Sequence, residues 1–582
     1  VTAPLLPAAG LASGSLRLRV AATPHLRLDL DLLPSGDALL KADAARACPI
    51  ALVLPGAHLT GDDFTVTALY VAPNALVATC QAGDITARLN WWTGAMDAIH
   101  LLVQLRAGEA DMPRDGELRL PLLDHLHPGD PTRTPYHDPG QGPLARDGRP
   151  LVRAGRYPVP HSCWSEGGGV AVLARYARDT QEESRWQPVP AALPVRLRSD
   201  WLDACELVFM SCRPGWPGAF EALRGQVRAD LDLSEYRRAD LHWYRQQWLQ
   251  HFTFLYGSEI FDHATQQFDP RRLLDQGRRF GGFDGLLLWP QYPRLGVDER
   301  DQWAFYDDVP GGQAGLRALA EQARSRGTRV FIPYLPWDAP PASRHGEPPL
   351  AAQRLARVVA GIGADGVFLD TMDSILPSFR RAIDQARSGV VFCSEGQPDL
   401  GAIGLITGSW DQGRHEHTAE VDLLRFLFPE HPTFMINRHA IGVHRERVIA
   451  RALWNGTGLV VWQDIFGEAL PYSAQEAARV HAVITILRRH AACFRGGEAL
   501  PLVPASHPDL LANAFIAADG RAVVTVYNDG DRVFTGNPLT GTLQDGRHWT
   551  RLDDATPGTM AGVLLGSILP GGVAVYAGTP AA

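Results

Sequence analysis

Two segments of this 582-residue chain run an apolar stretch straight into a single carboxylate. They are Gly366-Val-Phe-Leu-Asp-Thr-Met372, ending on Asp370, and Val390-Val-Phe-Cys-Ser-Glu-Gly396, ending on Glu395. Strands of a parallel sheet are buried on both faces and read as continuous hydrophobic runs. In a β/α barrel the residue that closes such a run emerges at the C-terminal rim, where active sites collect. Two carboxylates on neighbouring strand ends suit glycoside hydrolysis, which needs one group as nucleophile or base and another as proton donor.

Other apolar runs end on residues of the same character. Trp289 is followed by Tyr292, Tyr334 by Trp337 and Asp338, and Asp370 by Asp373. Trp410 stands beside Asp411, Asn437 beside Arg438 and His439, and Trp462 near Asp464. Aromatic faces stack on sugar rings, while carboxylates and amides bind hydroxyls, so the set is expected to hold a carbohydrate. Each residue also has a plainer reading. A lone Trp can be core, Asp370 could cap the next helix unless Asp373 does so, and Glu395 could form a rim salt bridge with an arginine. Asp411 is a ligand, the acid in place of Glu395, or a turn residue. His415-Glu416-His417 matches no helical zinc spacing, so no metal is expected. Gly167-Gly-Gly169 lacks the strand-to-helix context of a phosphate loop, Cys393 has no assignable base, and no cofactor is called for.

A barrel to position these residues needs eight strands, and eight candidates are present: 252–256, 285–289, 330–335, 366–370, 390–394, 403–407, 433–437 and 459–462. Helical stretches alternate with them, as in Leu316, Leu319, Ala320 and Ala323 at i, i+3, i+4 and i+7. Up to about 215 the chain instead shows short alternating runs, such as Ser15-Leu-Arg-Leu-Arg-Val20, broken by Gly and Pro, and such runs return after 501. The expected fold class is therefore multidomain α/β plus all-β: an N-terminal β-sandwich over 1–216, a helical linker over 217–250, a (β/α)8 barrel over 251–497 and a small C-terminal β-sandwich over 498–582.

A chain of this length exceeds what one core supports, so several domains are expected. Its composition, 45% hydrophobic and 20% charged, is that of an ordinary globular protein, and no run is long enough to span a bilayer. A formal net charge of -9 makes nucleic acid an improbable partner. Lys41 is the single lysine, which disfavours Schiff-base chemistry, and the seven cysteines are scattered with no CxxC pair. A start at Val1 without methionine suggests a removed leader, favouring a secreted or periplasmic location over a cytoplasmic one. No feature specifies an oligomeric state.

In Phe368-Leu-Asp-Thr371, Cys393-Ser-Glu-Gly396 and Gly404-Leu-Ile-Thr-Gly-Ser409, taken as the sixth strand, the chain resembles glycoside hydrolases with an aspartate nucleophile on the fourth barrel strand and a glutamate acid/base on the fifth. The likeness is to the endo-α-N-acetylgalactosaminidases and their relatives, and more distantly to the α-amylase clan. It implies a retaining α-glycosidase in which Asp370 attacks the anomeric carbon and Glu395 protonates the leaving oxygen. Thr371-Met372 replaces the aromatic usual after that nucleophile, so the sugar is not carried over. α-Galactosidase-like enzymes share the fourth-strand aspartate but carry the acid on the sixth strand, a version that promotes Asp411. From a different class, a catalytically silent glycan-binding barrel has the same sequence appearance.

Overall fold

The computed structural model describes residues 9–21, 25–32, 38–40, 49–94, 97–108, 114–122, 136–139, 142–152, 157–165, 167–177, 185–187, 189–290, 300–338, 348–413, 417–437, 444–465, 468–540, 547–553 and 566–580. The chain forms two compact units, Val1–Asp230 and Leu231–Ala582.

In the first unit, strands of alternating burial such as Leu16–Ala21 and Ala75–Ala82 assemble into one nine-stranded and two four-stranded antiparallel sheets. Alternation gives each sheet one apolar face, and these faces share a core that includes Leu18, Leu52, Leu89, Leu101 and Val172. Helix Trp216–Ala229 closes the unit, burying Phe220, Leu223 and Val227 at i, i+3 and i+7.

The second unit holds a closed parallel barrel of eight strands. They are β1 (Leu249–Phe254), β2 (Gly285–Trp289), β3 (Arg329–Tyr334), β4 (Gly366–Leu369), β5 (Val391–Ser394), β6 (Gly408–Asp411), β7 (Thr433–Asn437) and β8 (Gly458–Val461). Seven overlap the strands expected from sequence; the sixth does not. Residues 403–407 are apolar because Ile403 and Ile406 are buried in a turn, whereas β6 begins at Gly408. A Cβ at Gly408 would lie 2.2 Å from the Tyr244 ring, so only glycine lets the strand pass there.

Tyr244 belongs to a second departure. Residues 236–249, expected as continuous helix, are two 3-10 segments, Ser234–Arg237 and Ala239–Gln246. The three-residue period puts Leu241 and Tyr244 on one side, where they join the barrel's interior cluster with Phe331 and Phe434.

The lower end of β4 is fixed by Asp365, whose carboxylate accepts hydrogen bonds from the Val330 N–H at 3.0 Å and from Arg329 and Arg387 at 3.2 Å each. One buried acid thus ties the start of β4 to β3 and to the end of helix Pro377–Ala386. After the barrel, helix Ala474–Arg489 is opened by a capping box between Ser473 and Glu476. A five-stranded antiparallel sheet and a two-stranded one then enclose a separate core with Val524, Ala574 and Tyr576.

Candidate active site

Side chains alternate along a strand, and Phe368 of β4 lies in the barrel's interior cluster. Asp370, two residues on, keeps the inward orientation one step nearer the rim and is 6% exposed. It caps nothing: the following helix, Pro377–Ala386, has Leu376 at its N-cap. The Asp370 N–H donates to the Tyr334 carbonyl at 3.1 Å, and the indole N–H of Trp337 donates to Asp370 Oδ2 at 2.7 Å. Thr371 then takes φ 55°, a left-handed conformation costly for a β-branched residue.

That turn aims the Thr371 N–H at Glu395 Oε2, 2.6 Å away. Glu395 follows Cys393, another interior residue, by the same inward parity. Its second oxygen, Oε1, accepts from the Gln412 side-chain amide. Gly396 turns away at φ 139°, where Ser394 Oγ donates to its carbonyl at 2.6 Å. Asp370 and Glu395 end adjacent strands, and their carboxyl groups interact. Burial first, then this contact with Glu395, pushes the Asp370 carboxyl up to about 7, against the Trp337 hydrogen bond that pulls it down. Below about pH 7 Asp370 therefore holds a proton.

Asp411 closes β6 and is half-buried, its Oδ1 accepting the Gly413 N–H at 2.8 Å. Trp410 takes the inward parity, and so does Gln412, two residues on, whereas Asp411 has the opposite one. Its electrostatic neighbour is Asp422, which is buried and accepts from the Gln397 amide at 3.4 Å. Burial first, then the Asp411 charge, pushes the Asp422 carboxyl up to about 7.

Several residues expected on the rim occupy other places. Trp289, Trp410 and Trp462 are 2%, 2% and 5% exposed and form an aromatic plug around Phe252 and Phe368. Trp462 stacks on Phe252 at 4.1 Å, and Trp410 reaches down the barrel to donate to Gln250 Oε1 at 2.6 Å. Inward parity on short strands buries a Trp under the rim rather than laying it across the mouth. Tyr334 has the opposite parity and packs its ring against Trp303 and Phe379 in the helical layer. Asp338 is buried beside Gln302, whose amide donates to its carbonyl at 3.0 Å. Trp337, by contrast, is 37% exposed above Asp370, and Asp373 is half-buried on the same loop, its carbonyl accepting from the Asp399 N–H. Asp464 starts a short hairpin after β8. Asn437 ends β7, and Tyr292, Arg438 and His439 lie outside the described residues, as do His415 and Glu416.

Sequence reasoning passed over Gln412. The signal was the period of two from Trp410, hidden because the sixth strand was set five residues early. Among the described residues no three His, Cys, Asp or Glu side chains are grouped to hold a metal, and no helix is long and apolar enough to cross a membrane.

The fold and its rim define a multidomain protein built on a closed eight-stranded parallel barrel, with antiparallel sheets before and after it in sequence and carboxylates at the strand ends. Among solved structures, the galactosidase domain of the alpha-galactosidase-sucrose kinase AgaSK matches with a TM-score of 0.54 at 11% identity, covering 98% of this chain and 99% of that one. The GH36 alpha-galactosidase AgaB from Geobacillus stearothermophilus matches at 0.51 and 11% identity over 100% of both chains. A substituted form of AgaA from the same organism, in complex with raffinose, matches at 0.52 and 12% over 98% of this chain and 100% of that chain. At such identity the likeness is one of fold. No protein-family model matches the chain, and no curated protein matches it.

Proposed function

We propose that the protein is a glycoside hydrolase, a retaining α-glycosidase in which Asp370 is the nucleophile and Asp411 the acid/base. The observation that carries the reading is the setting of Asp370: an inward carboxyl at the fourth strand end, held by Trp337 and followed by a residue in a strained conformation. Asp370 attacks the anomeric carbon as the glycosidic C–O bond breaks, and the leaving oxygen takes a proton from Asp411. Water, deprotonated by Asp411, then cleaves the glycosyl-aspartate with net retention.

Asp411 is favoured over Glu395 because it closes the sixth strand, where the α-galactosidase-like enzymes carry the acid. Glu395 then serves to hold Asp370. The α-galactosidases that share the fold make terminal α-galactosides the first substrates to try. A second reading, with Glu395 as acid/base, is favoured by its inward parity on the strand adjacent to Asp370, since catalytic contacts rearrange when substrate enters.

Asp411→Asn with two aryl α-glycosides discriminates between the two. As acid/base, its loss sharply slows the substrate with the poor leaving group, spares the activated one, and is partly rescued by azide. An equal, small loss on both substrates would return the acid role to Glu395.

A further inference from the structure

We infer that a cavity beside the ends of β1 and β8 is a subsite for one neutral sugar residue of the glycan, beyond the residue that is cleaved; this rests on the glycosidase reading above. The cavity encloses about 450 Å3, between the segments that follow β1 and β8 and the 271–280 stretch. In the ring of strands, β1 and β8 stand opposite β4 and β5, and the residues lining the cavity include neither Asp370 nor Glu395.

The wall is a continuous run of polar groups. His251, wholly buried on β1 and stacked on Phe283 at 4.7 Å, binds Glu259 Oε2 through Nε2 at 3.0 Å. The Gln463 amide reaches Glu259 Oε1 at 3.4 Å, and Arg279 Nη2 donates to Gln463 Oε1 at 2.8 Å. Each polar group is therefore placed by another, and the last is anchored in the barrel wall. Burial pushes the Glu259 carboxyl up, but the His251 ring and the hydrogen bonds outweigh it and hold the group below its ordinary range. A fixed carboxylate with lone pairs to spare is a ready acceptor for sugar hydroxyls. Exposed Ser258 and Gln276 add a hydroxyl and an amide at the mouth.

This mixture also fixes the charge of the ligand. Among the described residues lining the cavity the carboxylates Glu259 and Asp464 outnumber the cation Arg279, so a uronate or sulfated sugar meets net repulsion while a neutral one meets both donors and acceptors. A neutral hexose or N-acylated hexosamine fits these terms.

The test uses the full chain carrying Asp370→Asn on an array of neutral and acidic oligosaccharides, alone and combined with Gln276→Trp, which fills the mouth from an exposed helical position, or with Arg279→Ala. Neutral glycans are expected to bind, and each added substitution to weaken that binding by about tenfold or more with an unchanged melting temperature. Three results overturn the subsite: no neutral glycan bound, a preference for acidic glycans, or affinity unmoved by both substitutions. The glycosidase reading is checked separately, by turnover of aryl α-glycosides by the unsubstituted protein. Absence of turnover with intact, Gln276-sensitive binding sinks that reading and leaves a glycan-binding site.

Discussion

Replacing Glu395 by Gln separates a group that holds the nucleophile from one that transfers the proton. In the native site Asp370 is protonated below about pH 7, because burial and the Glu395 contact both disfavour its charge. A nucleophile with a raised pKa is active above that value and loses tenfold per pH unit below it, so at about pH 5 only about 1% is ionised and kcat/KM is down roughly 100-fold. Glutamine keeps the shape of Glu395 and can still accept the Thr371 N–H, but it adds no negative charge and offers an amide donor to Asp370. Burial and the Trp337 hydrogen bond then remain, and the acid limb must move to lower pH. The assay is kcat/KM between about pH 4 and 9 on one activated and one poor aryl leaving group, where general acid catalysis contributes about 10²- to 10⁴-fold. The expected result is a downward shift of the acid limb, equal on both substrates, with turnover at alkaline pH retained within about tenfold. If activity instead collapses on the poor leaving group alone and azide restores it, Glu395 is the acid/base and the reasoning from strand position is wrong.

Two more outcomes follow from the same geometry. Trp337→Phe keeps the ring but removes the N–H on Asp370 Oδ2; a hydrogen bond to a charged group is worth about 1.5 to 3 kcal/mol, so kcat/KM should fall by about 10- to 100-fold and the acid limb should rise, which a pH profile detects. Asp370→Asn should abolish turnover and also change stability with a definite sign. The folded-state pKa of Asp370 is raised, so the native state loses stability as pH climbs from the ordinary aspartate range to about 7. The Asn variant escapes that loss, by up to about 4 kcal/mol at about 1.4 kcal/mol per unit, and should denature at higher urea concentration than wild type near pH 8 but not near pH 4. Equal shifts at both pH values would show that burial does not govern this carboxyl.

The strand ends were legible where the chain obeys one rule at a time. Asp370 and Glu395 each follow an apolar run of four or five residues, and buried parallel strands yield such runs directly. The sixth strand hid because Ile403 and Ile406 are apolar for another reason, burial in a turn, while Gly408-Ser-Trp-Asp411 looks like a loop. Its glycine is explained only by Tyr244, more than 160 positions earlier in the chain, and no local pattern carries that information. The 3-10 plug that brings Tyr244 there reads as helix for the same reason: its three-residue period is set by the barrel end it fills.

Parity is what links this misplacement to function. On β4, β5 and β6 the interior residues are Phe368, Cys393 and Trp410, and two steps further stand Asp370, Glu395 and Gln412. The Gln412 amide donates to Glu395, and Glu395 in turn raises the Asp370 carboxyl. Asp411, one residue out of step, is electrostatically linked to Asp422. A one-residue offset on a short strand thus gives Asp411 a different parity from Asp370 and Glu395, in keeping with the different role proposed for it above. Substituting Gln412 by Ala should therefore loosen Glu395 without touching Asp411, lowering kcat while leaving the dependence on leaving group as in wild type.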